Sequence, residues 1–199
     1  MRMRSVIAAA LIMFCSWTTT ASADPVQWPI SSGGNGHYYD FVSAPNILWT
    51  DANTAAQSLV FHGVNGYLAT LTSAAENNFL FSTFSAEAGP LQEGWLGGYQ
   101  DTSAPDYSEP SEGWRWVTGE PWSYTAWANG EPDNLGGNQN YLRGGSTWDD
   151  MSNNPTNESV QFVSGYFVEY PVPEPGSCTM LIGSLVLVAR RRTFSSDRL

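Results

Sequence analysis

The chain has 199 residues, with 19 Asp and Glu against 8 Lys and Arg, and a formal net charge of −11. That balance excludes a nucleic-acid partner, which needs a basic footprint for phosphate, and points toward cations or neutral ligands. The charge is also unevenly placed. Residues 24–172 hold seventeen acidic side chains against Arg115 and Arg143 and no lysine, while the other six arginines sit at the two ends.

At the N-terminus, Arg2 and Arg4 precede the apolar run from Val6 to Cys15, and Ala21-Ser22-Ala23 supplies small residues ahead of Asp24. This pattern is that of a secretory signal peptide over residues 1–23, cut between Ala23 and Asp24. At the C-terminus, Pro173-Glu174-Pro175 leads into an apolar stretch from Cys178 to Ala189, closed by Arg190-Arg191-Arg192. That stretch is short for a permanent anchor, since a spanning helix needs about 20 residues. The motif, the apolar segment and the arginine cluster occur in order at the end of the chain, and together they resemble the PEP-CTERM sorting signal of bacteria. The resemblance implies processing by an exosortase-type enzyme, transient membrane association through residues 172–199, and delivery to the cell envelope or extracellular matrix.

Residues 24–171 remain, about the size of one domain, with enough Trp, Tyr and Phe to fill a core. Cys15 and Cys178 fall outside this region, so no disulfide staples it, whatever the redox compartment. The aromatic and branched run His37–Val42 predicts an early strand. Thr50-Asp51 precedes apolar residues at helical spacing, which predicts a helix over 52–61. Ser73-Ala74-Ala75-Glu76 is a capping box, and Phe79, Leu80, Thr83 and Phe84 then continue one helical face. From Trp95 onward, short strands are expected at 95–99, 114–118, 141–143 and 166–170, separated by Gly, Pro, Asn and Asp. His37 and His62 stand without partners at ligand spacing.

The second half of the domain, from Trp95 to Tyr170, reads as a loop too long for a compact domain unless something organises it, yet Trp122, Tyr124, Trp127, Tyr141 and Trp148 make it too aromatic for disorder. Glu131, Asp133, Asn134, Asn138, Gln139, Asn140, Asp149 and Asp150 are all hard oxygen donors, with no Cys or His among them. Such a set suits Ca²⁺ rather than Zn²⁺, and a metal ion is the expected organiser of the loop. Trp95, Trp114, Trp116 and Trp148 read as core, and Trp122, Tyr124 and Trp127 as loop core or as a stacking surface for a sugar.

Four segments occur in order: Trp95-Leu96-Gly97-Gly98, Trp127-Ala128-Asn129-Gly130-Glu131-Pro132-Asp133-Asn134, Trp148-Asp149-Asp150, and Gly165-Tyr166-Phe167-Val168-Glu169-Tyr170. Together they resemble the C-type lectin-like domain over roughly His37 to Tyr170. The resemblance implies an α+β fold of two helices, small antiparallel sheets and a long ligand-binding loop. It implies a cis peptide before Pro132, Ca²⁺ held by Glu131, Asp133, Gln139, Asp149 and Asp150, and sugar hydroxyls meeting Glu131, Asp133, Asp149 and Asp150. Vicinal hydroxyls suit such an ion, because each gives a lone pair to the metal and a proton to a carboxylate. The chain departs from the family's pattern in three places. Glu131-Pro132-Asp133 is a hybrid of the mannose-type and galactose-type motifs, neutral Gln139 stands where an acid is usual, and Asp149 stands where Asn is usual. Asp150 is expected at a loop edge, where its loss would leave the fold intact.

The expectation is therefore an exported, calcium-dependent carbohydrate- or exopolysaccharide-binding protein. The alternative is a calcium-independent structural or protein-binding matrix protein. An enzyme is not expected: a glycosidase needs two carboxyls about 5 to 9.5 Å apart across a cleft, whereas these acids are adjacent. Four carboxylates in one cage would repel each other without a cation.

Overall fold

The computed structural model describes residues 24–88, 93–157 and 162–172, so the expected signal peptide and the Pro-Glu-Pro tail lie outside the described residues. Among the described residues, no helix is long and apolar enough to cross a membrane. In chain order the elements are β1 (Val26–Gln27), β2 (Tyr38–Ser43), α1 (Trp49–Ser58), β3 (Val60–Phe61), β4 (Val64–Asn65), β5 (Tyr67–Leu68) and α2 (Ala74–Thr83). They continue with β6 (Gly94–Gln100), β7 (Trp114–Trp116), β8 (Tyr141–Gly144), β9 (Trp148–Met151) and β10 (Gly165–Tyr170).

β2 pairs antiparallel with β10 along its whole length, from Tyr38 opposite Tyr170 to Ser43 opposite Gly165, so the two ends of the domain close on each other. The sheet then runs β10–β6–β8–β9, with β5 branching from β10 and β7 from β6. It is a mixed sheet rather than a set of small antiparallel ones, because β10 and β6 run parallel. Side chains alternate between its faces. Trp95, Tyr166, Val168 and Tyr170 pack with Trp49, Ala52 and Ala56 of α1, while Leu96, Leu142 and Phe167 pack with Leu80 and Phe81 of α2. The two helices therefore cover opposite faces. Where β10 meets β2 the backbones are too close for a side chain, and a Cβ on Gly165 would lie 2.0 Å from the Val42 carbonyl oxygen.

The first helix begins three residues earlier than the pattern predicts and ends sooner. Its cap is not Thr50-Asp51. Asn153, 103 residues away, accepts the Trp49 amide on its backbone carbonyl at 3.2 Å and the Thr50 amide on Oδ1 at 3.0 Å. The Trp49 indole then donates to the Leu96 carbonyl at 2.8 Å, which fixes the helix to β6. Residues 60–61, expected as helix, turn into β3 because His62 and Gly63 both adopt positive φ, the requirement of a tight two-residue hairpin into β4.

The α2 cap follows the expected box with one shift. Ser73 Oγ accepts from the Glu76 amide at 3.2 Å, but the Glu76 carboxylate reaches back to the Thr72 amide at 2.7 Å. Its other oxygen accepts from the Tyr39 hydroxyl at 2.6 Å. Glu169 is equally buried, accepts the Thr70 amide at 3.0 Å and sits 2.6 Å from His37 Nδ1. His37 is therefore not the partnerless residue its sequence spacing implies, since its partner lies 132 positions along the chain. Hydrogen bonding to Glu169 raises its pKa against the opposing effect of burial, so the imidazolium offsets part of a buried charge.

Asn153→Ala removes the side-chain acceptor for the Thr50 amide but keeps the backbone one. Loss of about 1 kcal/mol is expected, the usual worth of a helix cap, read as a lower urea midpoint with an unchanged slope.

Candidate functional site

The long segment between β7 and β8 is held first by tryptophan. Trp114, Trp116 and Trp148 are almost wholly buried, and half-buried Trp122 packs on all three, with ring centroids 5.7, 4.5 and 5.8 Å away. Trp127 meets Trp114 at 4.9 Å and Trp148 at 5.8 Å. Two backbone bonds complete the seam, Trp148 amide to Ala126 carbonyl and Ala128 amide to Trp148 carbonyl, both 2.8 Å. Ring packing therefore contributes to the order of this loop, a role that the sequence assigns to a metal ion. Tyr124 too is taken up by the cluster, edge-on to Trp148 at 5.4 Å.

Beyond that seam the Glu131–Pro132 peptide is cis, as is the unforeseen Glu109–Pro110. Glu131, Asp149 and Asp150 each offer a carboxylate oxygen, and these lie within 4.8 Å of one another. Asp150 is not at an exposed edge. It is fully buried, and its two oxygens accept the amides of Asp133 at 3.0 Å and Asn134 at 2.9 Å, so it shapes the loop as well as charging it. Asp133 and Gln139 face other work: Asp133 Oδ1 accepts the Leu135 amide at 2.9 Å, and buried Gln139 directs its Oε1 at the same amide. Asn134, in the left-handed conformation at φ 49°, closes the turn by accepting the Gln139 amide at 3.0 Å. Of the five residues expected around an ion, three converge and two are engaged in the turn.

The residue that sequence reasoning missed is Arg143. Strand pairing sets it opposite Asp149, to which its guanidinium is ion-paired, and it also donates to Glu93 Oε2 at 3.0 Å. The only sequence signal was its rarity, as one of two basic residues in the domain. Glu131 receives no such relief. Its Oε2 is buried without a hydrogen-bond partner. Burial, the Asp149 charge and a proton shared with Asp150 push its pKa up to about 7. Burial also raises Asp150, against the lowering effect of the two amides it accepts. Carboxyls that resist ionisation this close together form a site that gains from a bound cation.

No family model matches the chain. The chain is 31% identical over 138 residues to C-type lectin lectoxin-Lio1 of Erythrolamprus poecilogyrus, covering 66% of this chain and 73% of that protein. The chain belongs to the C-type lectin family. It is also 32% identical over 149 residues to halomucin of Haloquadratum walsbyi, although the match spans 68% of this chain and only 1% of that protein. It spans 59% of rat lithostathine, at 24% identity. Among solved structures, the fold is similar to the C-type lectin CEL-I from Cucumaria echinata, with a TM-score of 0.54 at 22% identity over 78% of this chain and all of that one. The cow CD23 carbohydrate-recognition domain is similar at a TM-score of 0.52 and 21% identity, over 69% of this chain and 90% of that one. As a C-type lectin fold the chain is an α+β domain with two helices, and several of the proteins it is similar to are named as lectins.

In this C-type lectin, folding raises the Glu131 pKa from the ordinary 4.5 to about 7. Its proton is bound more tightly in the folded state, so the associated stability is fully present below about pH 4.5 and is lost as pH rises through about 7. Burial shifts Asp150 and Glu76 in the same direction. In chelator, the thermal midpoint should fall as pH is raised from about 5 to 8, and Glu131→Gln should flatten that fall. An unchanged slope in the variant would remove Glu131 as a titrating group.

Proposed function

We propose that the protein is an exported lectin that binds carbohydrate or exopolysaccharide through a calcium ion held by Glu131, Asp149 and Asp150. The observation that carries this reading is the convergence of these carboxylates within 4.8 Å, together with a buried Glu131 oxygen that has no partner. Ca²⁺ takes six to eight oxygens. Asp133 and Gln139 complete the set by turning from the Leu135 amide, and a pair of sugar hydroxyls fills the remaining positions. The CD23 domain, whose structure was determined in the presence of a GlcNAc2Man3 oligosaccharide, supports the ligand class.

The same proposal covers the ends of the chain. Residues 1–23 are removed on export between Ala23 and Asp24, residues 24–171 form the binding domain, and residues 172–199 associate transiently with the membrane. An exosortase-type enzyme then cuts near Pro173-Glu174-Pro175 and releases Arg190, Arg191 and Arg192, leaving the bacterial protein in the cell envelope or extracellular matrix. Intact mass of the mature product should lack the arginine cluster, whereas recovery of the complete tail would favour a permanent anchor.

A calcium-independent matrix protein is the second reading. It is favoured by the tryptophan seam, which packs the loop through its own rings, and by Arg143, which is ion-paired to Asp149. Calcium titration separates the two. Calorimetry should give a dissociation constant on the order of 10⁻⁴ to 10⁻³ M, as for other extracellular modules, and a rise in thermal midpoint that follows site occupancy. Asp150→Asn should weaken calcium at least tenfold, and glycan-array retention in calcium should disappear with chelator. Asp150→Ala is the poorer probe, because it orphans two amides at a cost of about 1 to 3 kcal/mol. Absence of both heat and thermal shift at millimolar calcium would leave the matrix reading standing.

A further inference from the structure

On the α1 face of the sheet, Trp49, Asn53, Gln57, Tyr99, Val117 and Tyr141 enclose a cleft of about 350 Å³. We propose that this cleft is a second saccharide subsite, which takes one neutral pyranose unit without calcium. None of its six lining residues is charged, in a chain whose net charge is −11. That chemistry disfavours a metal ion, phosphate or carboxylate as the occupant, because none would meet a charge partner on entry. None of the three carboxylates of the cation site lines the cleft, so the two sites stand or fall separately.

The floor is rigid. Trp49 is 6% exposed, its indole is tied to the Leu96 carbonyl, and its ring packs 4.7 Å from Tyr141 and 6.0 Å from Tyr99. These tyrosines are direct cross-strand neighbours on β6 and β8, each half-buried. A wall of this kind offers apolar ring area with a phenol hydroxyl at its rim, at little conformational cost. The facing wall is α1, where Asn53 and Gln57 lie one turn apart and the Gln57 amide donates to Asn53 Oδ1 at 3.2 Å. That bond aligns the two side-chain amides and leaves the Asn53 Nδ2 and the Gln57 Oε1 able to meet a ligand.

A pyranose has the matching surface: an apolar face of C–H groups to lie on an aromatic ring, and a rim of hydroxyls that each donate and accept. The volume falls at the small end of ligand pockets, about 300 to 1,000 Å³, which suits one sugar unit rather than a chain.

Saturation-transfer NMR on the full chain, in excess EDTA, tests this with cellotriose and mannotriose as probes. Transfer to ring protons of at least one trisaccharide is expected. Asn53→Ala and Gln57→Ala, at positions outside the core, should each weaken binding about fivefold, the worth of one hydrogen bond. Tyr99→Phe, which keeps the ring, should weaken it less than Tyr99→Ala. No transfer from either probe, or transfer that survives all four substitutions unchanged, overturns the proposal. A sedimentation coefficient altered by Asn53→Ala with no saccharide signal would assign the cleft to a second copy of the chain instead. Loss of the calcium-dependent binding described above leaves this result unaffected, because chelator is present throughout.

Discussion

Trp148 is the residue on which the binding face depends. Its ring is wholly buried, its indole donates to Asn77 of α2 at 2.8 Å, and its backbone bonds both flanks of Trp127. One side chain therefore joins a helix, the last strand of the sheet and the long loop. Aromatic contacts of this kind are worth about 0.5 to 1.5 kcal/mol each beyond the area they bury. Asp149 and Asp150 follow immediately, so the same packing interaction brings the acids to the loop, where the Arg143 ion pair and the Asp133 and Asn134 amides fix their carboxylates.

This arrangement separates two tasks that a metal often performs at once. The loop is ordered by rings, and the charge that remains at its tip is available for binding. The compensation is only partial. Arg143 relieves Asp149 and two amides relieve Asp150, while Glu131 stays buried with an oxygen unpartnered.

Much of the fold was legible because the aromatic strands and the capping box at Ser73 obey local rules. The Trp95, Trp127 and Trp148 segments carried the family likeness in their order. What escaped was tertiary. Nothing near Trp49 indicates that Asn153 caps its helix, and nothing near His37 indicates Glu169. At the site, residue types alone could not distinguish Glu131, one of whose oxygens is buried without a partner, from Asp133 and Gln139, which each direct an oxygen at the Leu135 amide. The burial of Asp150 was equally hidden, since an acid in a turn-rich stretch reads as solvated until its two amide partners are in view.

The closure of β2 on β10 has a kinetic consequence. Tyr38 pairs with Tyr170, and α1 is capped from Asn153, so the first elements of the domain gain their partners only when the last have been made. Contacts of such long sequence separation slow folding, because loop-closure entropy must be met before any pairing rewards it. A ribosome that has released residues up to Met151 has produced every acid of the site and both helices, yet the central strand β10 is still missing. The growing chain therefore stays pliable until its final turn emerges.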